Sequence, residues 1–328
     1  MLAYIVRRVL LMIPTLLIVS VISFAIIQLP PGDYVDSLEA SFAAQGGSVD
    51  QAQLEAIKER YGLGEPMHIQ YYKWMSGILL RGDFGRSFEW KRPVADLIWD
   101  RLGLTFLISI STILFTWFVA LPVGIYSAVR KYSLGDYVVT FLNFIGLAIP
   151  NFLLALVLMY IAYAYFGQSV GGLFSPEYAN APWSWARVAD LLAHLWIPVI
   201  VLGTAGTAGL IRIMRANLLD ELHKPYVTTA RAKGLPEWRL LLRYPVRIAL
   251  NPFISTVGWS LPRLVSGAII VSVVLSLPTT GPLFLQALKS QDMYLAGSFI
   301  LMLSTLTVVG TLVSDILLAW LDPRIRYE

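Results

Sequence analysis

Long apolar stretches recur along this chain and determine what kind of protein it encodes. The first is Val9–Leu29, which follows two arginines. The others are Leu104–Val129, Val138–Phe166, Leu191–Ile211, Phe253–Leu277 and Gly297–Leu321. A helix needs about 20 mostly apolar residues to cross the hydrocarbon core of a bilayer. The pattern therefore predicts an all-α integral membrane protein with six transmembrane helices.

The segment between the first two stretches, residues 30–103, is polar and has helical periodicity of its own. Within it we predict one short amphipathic helix at Val49–Tyr61 and a second at Met67–Leu80. We therefore expect three parts: a first span at 1–29, a small helical extracytoplasmic region at 30–103 between spans one and two, and a five-span membrane core at 104–328.

A second polar segment, residues 220–251, is too regular in pattern for a plain loop. Pro225 precedes Tyr226–Lys233 and Gly234 follows it, which is the usual arrangement of proline and glycine at the two ends of a helix. The sequence thus predicts a short helix, a glycine turn and a second helix that runs to Arg247.

The second of these helices carries arginines at every fourth residue, and they share one face of the helix: Arg239, Arg243 and Arg247. Such a helix could lie at the membrane surface with its arginines on lipid phosphates. It could equally dock a cytoplasmic partner. The residue pattern alone leaves both interpretations open.

Composition agrees with the apolar pattern and excludes several classes of protein. Hydrophobic residues make up 57% of the 328 residues, charged residues 14%, and the mean hydropathy is +0.66. A soluble domain has about 25% charged residues, so an ordinary cytosolic enzyme and a nucleic-acid-binding domain are excluded. The net charge of +4 is too small to imply a polyanionic partner, and without cysteine no disulfide can form.

The placement of the basic residues indicates the orientation in the membrane. With the N-terminus inside, the cytoplasmic segments hold 14 basic residues, eight of them from Arg212 to Arg247. The two short outer loops hold only Arg187 and Lys289. Because cytoplasmic loops carry an excess of Lys and Arg, we predict that both termini are cytoplasmic.

Motifs for enzyme chemistry do not occur in the chain. There is no Gly-x4-Gly-Lys-Ser/Thr phosphate loop and no His-Glu-x-x-His pair. The three histidines are far apart in sequence and fit solvated or interfacial positions better than a metal site. We expect no catalytic residue, and no metal or cofactor bound by this chain.

Several short motifs together resemble one family of membrane proteins. Tyr226-Val-Thr-Thr-Ala-Arg-Ala-Lys-Gly-Leu235 resembles the coupling loop of ABC importer permeases of the dipeptide/oligopeptide type. The resemblance extends over nearly the full chain through Tyr61-Gly-Leu-Gly-Glu-Pro66, Arg81-Gly-Asp-Phe-Gly-Arg-Ser87, Leu121-Pro-Val-Gly124 with Ala128 and Asp136, and Leu321-Asp-Pro-Arg-Ile-Arg-Tyr327. It also implies a break of the third span near Pro150.

This resemblance implies a transport subunit without ATPase activity in the bacterial inner membrane. Its partners would be a second, homologous permease, two ATP-binding subunits that hold ATP and Mg²⁺, and an extracytoplasmic solute-binding protein. The coupling helix would contact the ATPase through the residues that match the family's loop: Tyr226, Thr228, Thr229, Ala230, Arg231, Lys233, Gly234 and Leu235. There, we expect the small size of Ala230 and Gly234 to matter more than charge.

The substrate and the transport class leave alternatives. Peptides are the first expectation from the resemblance, and oligosaccharides, opine-like compounds and nickel chelates are the alternatives. A stand-alone secondary transporter would carry paired ionisable residues near the midplane, where this chain has essentially Arg263 and Asp315. An intramembrane enzyme would need a nucleophile or metal cluster within the spans, and the sequence offers none.

Two further features of the spans have functional interpretations. Arg263 lies ten residues after Phe253, about 15 Å into its span at 1.5 Å per residue. A charge at that depth costs at least about 2.5 kcal/mol, so we expect Arg263 to line the translocation path; the alternative is a later helix start, with the side chain extending to the cytoplasmic surface. We also expect Asn151 and Ser272 on that path. The small-residue run Gly203–Gly209 suits close helix packing, either within the subunit or between two permeases.

Overall fold

The computed structural model describes residues 2–29, 55, 64–168, 171–256, 260, 262 and 269–321. Within these ranges the regular structure is helical, apart from an isolated antiparallel bridge between Arg86 and Pro93. The helices are α1 (Leu2–Gln28), α2 (Met67–Arg81), α3 (Val94–Val129), α4 (Leu134–Ala148), α5 (Asn151–Phe166), α6 (Trp185–Leu222), α7 (Pro225–Ala232), α8 (Glu237–Arg243), α9 (Pro245–Ala249), α10 (Ile269–Val274), α11 (Thr280–Lys289) and α12 (Met293–Leu321).

Four of these helices are long and apolar enough to cross a bilayer: α1, α3, α6 and α12. The pair α4 and α5 would supply a fifth crossing if the two helices form one span. Large apolar side chains on these helices are exposed, among them Ile13, Phe118, Phe141 and Tyr165. Because soluble proteins rarely expose apolar surface on this scale, the expectation of an all-α integral membrane protein is confirmed.

The third predicted span, Val138–Phe166, is not one straight helix. Helices α4 and α5 meet at an angle of 100° across a break at Ile149 and Pro150. Proline has no backbone N–H to donate and disfavours helical geometry at the residue before it. Ile149 accordingly adopts the extended values φ −77° and ψ 120°. The break near Pro150 that the family resemblance implied is present.

The remaining predicted elements are the two short helices between spans one and two and the fifth span. The helix expected at Met67–Leu80 forms as α2, and Gly82 ends it in the left-handed region with φ +64°. The helix expected at Val49–Tyr61 lies outside the described residues except for residue 55. Ten of the 25 residues of the span expected at Phe253–Leu277 also lie outside them, at 257–259, 261 and 263–268. The number of six spans stays a prediction.

The chain divides into two compact units. The first contains Leu104–Pro278 with the two chain ends, and the second contains Ile5–Gly103 with Thr279–Leu306. In the first unit, one core cluster includes Leu195 and Leu275, and another is centred on Met214. In the second unit, the core forms around Phe24, Trp74, Phe88 and Met293, with a further cluster that includes Val94 and Leu295.

A buried carboxylate connects distant parts of the second unit, and it was not among the predicted site residues. The Asp292 side chain is fully buried and accepts hydrogen bonds from the Ser87 hydroxyl at 2.5 Å, the Phe88 N–H at 2.8 Å, the Glu89 N–H at 3.4 Å and the Leu295 N–H at 3.1 Å. We call these five residues the Asp292 clamp. Asp292 precedes α12, so its bond to the Leu295 N–H is a helix N-cap.

Candidate functional site

The segment predicted as helix, turn and helix has that local structure. Helix α7 begins with Pro225 at its first position and extends to Ala232, with Lys233 as its C-cap. Gly234 then adopts φ +75°, a left-handed conformation that glycine reaches without a steric penalty. After Pro236 the chain enters α8. We call Pro225–Arg243 the hairpin.

One face of α7 is buried against α8. Val227 and Leu240 are fully buried and Ala230 is 8% exposed, and Tyr226 and Leu235 pack around them. The small side chain of Ala230 therefore lets α8 approach α7 within this chain. Its small size thus serves the internal packing of the hairpin, and the expectation that this size permits close contact with an ATPase stays a prediction.

The opposite face of α7 is exposed and consists of small side chains. At about 100° per residue, Ala232 lies about 170° around the helix from the centre of the buried pair Val227 and Ala230, and Thr228 and Thr229 lie about 130° from it on either side. The Thr229 hydroxyl donates to the Pro225 carbonyl at 2.9 Å, which holds it against the helix. The hairpin thus presents a low, nearly uncharged ridge from Thr228 to Ala232, about 6 Å long at 1.5 Å per residue.

Charge on the hairpin is partly neutralised within it. The Arg231 guanidinium donates two hydrogen bonds to the Glu237 carboxylate, at 3.1 and 2.5 Å, across the glycine turn. These bonds raise the pKa of Arg231 and lower the pKa of Glu237. Arg231 therefore already has a carboxylate partner in this chain, and Lys233 is the exposed cation next to the ridge.

The hairpin is joined firmly to α6. The Tyr226 hydroxyl donates to Glu221, in the last turn of α6, at 2.5 Å. Burial, and next the hydrogen bond to Glu221, raise the pKa of Tyr226 well above its usual value. Helix α6 has 38 residues, so it is about 57 Å long at 1.5 Å per residue. A displacement of the hairpin would consequently move a long continuous helix.

The second predicted helix does not run unbroken to Arg247. It ends at Arg243, Tyr244 adopts φ −117° and ψ −81°, and Pro245 starts the separate helix α9. The expectation that Arg247 shares a helical face with Arg239 and Arg243 is therefore wrong, because proline disfavours helical geometry at the residue before it. Helix α9 instead packs against α6 through a core cluster: Met214, Leu218, Val246, Ala249 and Phe253.

A buried ion pair ties α4 to α6. Asp136, whose side chain is 3% exposed, accepts two hydrogen bonds from Arg215 of α6, at 3.0 and 2.8 Å. It also accepts from the Tyr132 N–H at 2.9 Å and from the Ser127 hydroxyl. The resemblance had marked Asp136 but not its partner. An arginine inside a long apolar helix was the available signal, since such a charge is normally paired.

The small-residue run packs mainly within its own unit. A side chain at Gly203 would meet Phe115 of α3 at 2.6 Å, and one at Gly206 would lie 3.6 Å from Thr116. Open space surrounds Gly209. Gly203 thus provides close approach of α3 and α6, which is the packing interpretation of the run.

The three residues expected on the translocation path are described unequally. Asn151 is the first residue of α5 and is half-buried, and Ser272 is buried in α10, which packs against α5. Arg263 lies outside the described residues. A separate cavity of about 300 Å³ lies among α3, α4 and α6, with Asn143, Thr204 and Thr207 as its polar lining. Among the residues that the structure describes, no cluster of three acidic or histidine side chains could hold a metal ion.

These features define a multi-pass helical membrane protein with a broken span and a helical hairpin between long apolar helices. The chain belongs to the family of binding-protein-dependent transport system inner membrane components, which it matches over residues 120–327. The N-terminal component of the same transport systems matches residues 1–111. The family resemblance found in the sequence is confirmed, and the protein is a permease subunit in the bacterial inner membrane.

Curated relatives match the chain from end to end. The oligopeptide transport system permease protein AppB of Bacillus subtilis is 38% identical over 329 residues, with all of both chains covered. The oligopeptide permease protein OppB of Haemophilus influenzae is 31% identical over 328 residues, again with both chains fully covered. The dipeptide permease protein DppB of Alkalihalophilus pseudofirmus is 30% identical over 344 residues, also with full coverage of both chains.

Proposed function

We propose that this chain forms half of the translocation path of an ATP-driven importer and that its hairpin couples the path to an ATPase. A second, homologous permease would form the other half. Two ATP-binding subunits would hydrolyse ATP with Mg²⁺, and an extracytoplasmic binding protein would deliver the solute. The chain would cross the membrane six times with both termini in the cytoplasm, so that residues 30–103 lie outside and the hairpin lies inside.

The observation that carries this proposal is the two-faced construction of α7. Its inner face is fixed to α8, and Tyr226 fixes the helix to α6. Its outer face is exposed and small. A force-transmitting contact needs a rigid element whose shape fits a groove without side-chain rearrangement. The hairpin has these properties, and it continues directly into one of the long apolar helices.

The residues matched to the coupling loop then have different roles. Thr228 and Thr229, together with the neighbouring Ala232, would form the surface that enters the ATPase groove. Lys233 would add a charge contact beside it. The remaining residues would hold the hairpin in shape through the buried cluster, the ion pair and the turn: Tyr226, Ala230, Arg231, Gly234 and Leu235.

A peptide is the substrate class that the relatives favour. Two of the relatives above are named as oligopeptide permeases and one as a dipeptide permease. Oligosaccharides and opine-like compounds are the alternative cargo for the same kind of importer. Asn151, Arg263 and Ser272 would line the path, with Arg263 available to anionic groups of the solute.

Substituting Ala232 tests the docking surface directly. In Ala232→Trp the bulky ring would keep the ridge out of its groove, and an overpacked contact typically costs about 1–3 kcal/mol, or roughly 5- to 150-fold in affinity. The matched control is Ala232→Ser, which stays small. We expect the tryptophan variant to lose the ATPase subunits on affinity purification and to lose solute uptake, while the serine variant keeps both.

A unique thiol gives an independent measurement of the same contact. The chain contains no cysteine, so Thr228→Cys introduces a single reactive site on the ridge. We expect it to crosslink to an ATPase subunit. The docking assignment would be abandoned if this thiol crosslinked only to lipid and Ala232→Trp still transported solute with its ATPase bound.

A further inference from the structure

Helix α8 has a second exposed surface, distinct from the ridge of α7. Trp238 and Leu242 are 62% and 58% exposed and lie four residues apart, on one side of the helix. Arg239 and Arg243 are also exposed and lie four apart on the neighbouring side. Leu240 is buried on the side that faces α7. The helix therefore has an anchored face, an apolar face and a basic face.

The charge of this surface is positive and is not cancelled within α8. Glu237 is the acidic residue of the helix, and it already accepts both hydrogen bonds from Arg231 of α7. The Arg239 guanidinium lies 5.3 Å from the centre of the Trp238 ring. An indole next to a guanidinium is a pairing that suits the boundary between acyl chains and headgroups, where one side is apolar and the other is wet.

The chain also keeps α8 close to the apolar helices. Only Tyr244 separates it from α9, which packs against α6. Glu221, in the last turn of α6, holds Tyr226 at the start of the hairpin. Both ends of the hairpin are thus attached to a helix that is long and apolar enough to span a bilayer. These attachments keep the exposed face of α8, with its tryptophan, leucine and two arginines, next to a helix that can span a bilayer.

We propose that α8 is a membrane anchor, with Trp238 and Leu242 inserted at the headgroup boundary of the cytoplasmic leaflet and Arg239 and Arg243 on the phosphates of anionic phospholipids. The two helices of the hairpin then have different partners: the ridge of α7 faces the aqueous side, and α8 rests on lipid. The anchor fixes the hairpin relative to the bilayer. This interaction requires only that the chain is in a membrane and does not depend on an ATPase subunit.

Spin labels on single introduced cysteines can measure the depth of α8. The full-length chain is placed in nanodiscs of phosphatidylcholine with phosphatidylglycerol, and a label is attached at Leu242→Cys or, as the control on the other helix, at Thr228→Cys. Interfacial helices bury their apolar face about 5–10 Å into the headgroup and acyl boundary. We expect collisions with oxygen to dominate at position 242 and collisions with a water-soluble nickel chelate to dominate at 228.

Lipid charge and protein charge can then be varied separately. We expect removal of phosphatidylglycerol to shift the label at position 242 toward water. In the double variant Arg239→Gln and Arg243→Gln this dependence on anionic lipid should be lost, and Arg239→Lys with Arg243→Lys should restore it. A label at 242 as accessible to the nickel chelate as the label at 228 would overturn the proposal. So would a label shielded from both reagents, since a protein surface would then cover α8, or equal lipid dependence with and without the two arginines.

Discussion

The hairpin and the Asp292 clamp are held together by opposite means. The hairpin is held by a small apolar cluster between residues that are close in sequence, and its one ion pair among the described residues is exposed. The clamp relies on one fully buried carboxylate that joins residues 205 positions apart. Local contacts let the hairpin keep its shape while its outer faces stay available to partners. The clamp uses its polar groups internally and fixes the second unit.

Removing the carboxylate of the clamp should have the largest effect. Asp292→Ala leaves the Ser87 hydroxyl and the Phe88 N–H without their acceptor in a buried site. Each unsatisfied buried donor costs about 1–3 kcal/mol, so we expect a loss of about 3–5 kcal/mol. Thermal unfolding of the purified chain in detergent would measure it. A loss no greater than that of Arg231→Ala would remove the contrast between clamp and hairpin.

Enlarging the buried alanine of the hairpin should have the next largest effect. Ala230→Leu forces three extra carbons between α7 and Leu240, and overpacking of this kind costs about 1–3 kcal/mol. The matched control is Ala232→Leu on the exposed face, for which a change within about 0.5 kcal/mol is expected. Hydrogen exchange of the hairpin amides should speed up in the first variant alone. Equal effects would mean that α7 does not have one inner and one outer face.

These two substitutions also separate what the sequence could predict from what it could not. Pro225 and Gly234 predicted the hairpin because helix ends depend on nearby residues. The clamp and the pair of Asp136 with Arg215 join residues that are distant in sequence. The position of Arg215 in an apolar helix indicated that it has a partner, but the sequence did not show which residue that partner is. The sequence shows that Ala230 is small, but only its packing against α8 in the structure shows that its side chain faces the interior of the hairpin.

Prolines interrupt two stretches whose periodicity continues across them. At Pro245 the arginine spacing predicted one helix where the structure has two, whereas at Pro150 the break implied by the family resemblance is present. In each case the residue before the proline leaves helical geometry, with ψ 120° at Ile149 and ψ −81° at Tyr244. Each proline therefore outweighed the periodicity around it.

The pH dependence of the clamp should be smaller than the effect of deleting it and should have a defined sign. Burial raises the pKa of Asp292 above its usual value, although the donors of the clamp partly oppose this. The folded chain then binds more protons than the unfolded chain between the two pKa values. Its stabilising contribution is present below the usual pKa of aspartate and is lost as the pH rises through the raised pKa.

Unfolding at a series of pH values checks this sign. The midpoint of wild type should fall, relative to that of Asp292→Asn, as the pH rises from the usual aspartate range toward neutrality. The asparagine variant has no proton to lose at this position and serves as the reference. If the unfolding midpoint of wild type instead rose relative to that of Asp292→Asn with rising pH, the hydrogen bonds of the clamp would outweigh the effect of burial on the pKa of Asp292.

The exposed ion pair of the hairpin should matter least. Arg231 and Glu237 have side chains that are 53% and 50% exposed, and pairs in such positions are screened by solvent and contribute little. Arg231→Ala and Glu237→Gln should therefore leave the unfolding midpoint close to that of wild type at moderate salt.

The small stabilising contribution of this ion pair should depend on pH. It should be present above the usual pKa of glutamate and be lost as the pH falls through the lowered pKa of Glu237, because the folded chain releases that proton more readily than the unfolded chain. If the hairpin instead depended on this pair, both variants would lose hydrogen-exchange protection across α7 and α8, and high salt would reproduce the loss in wild type.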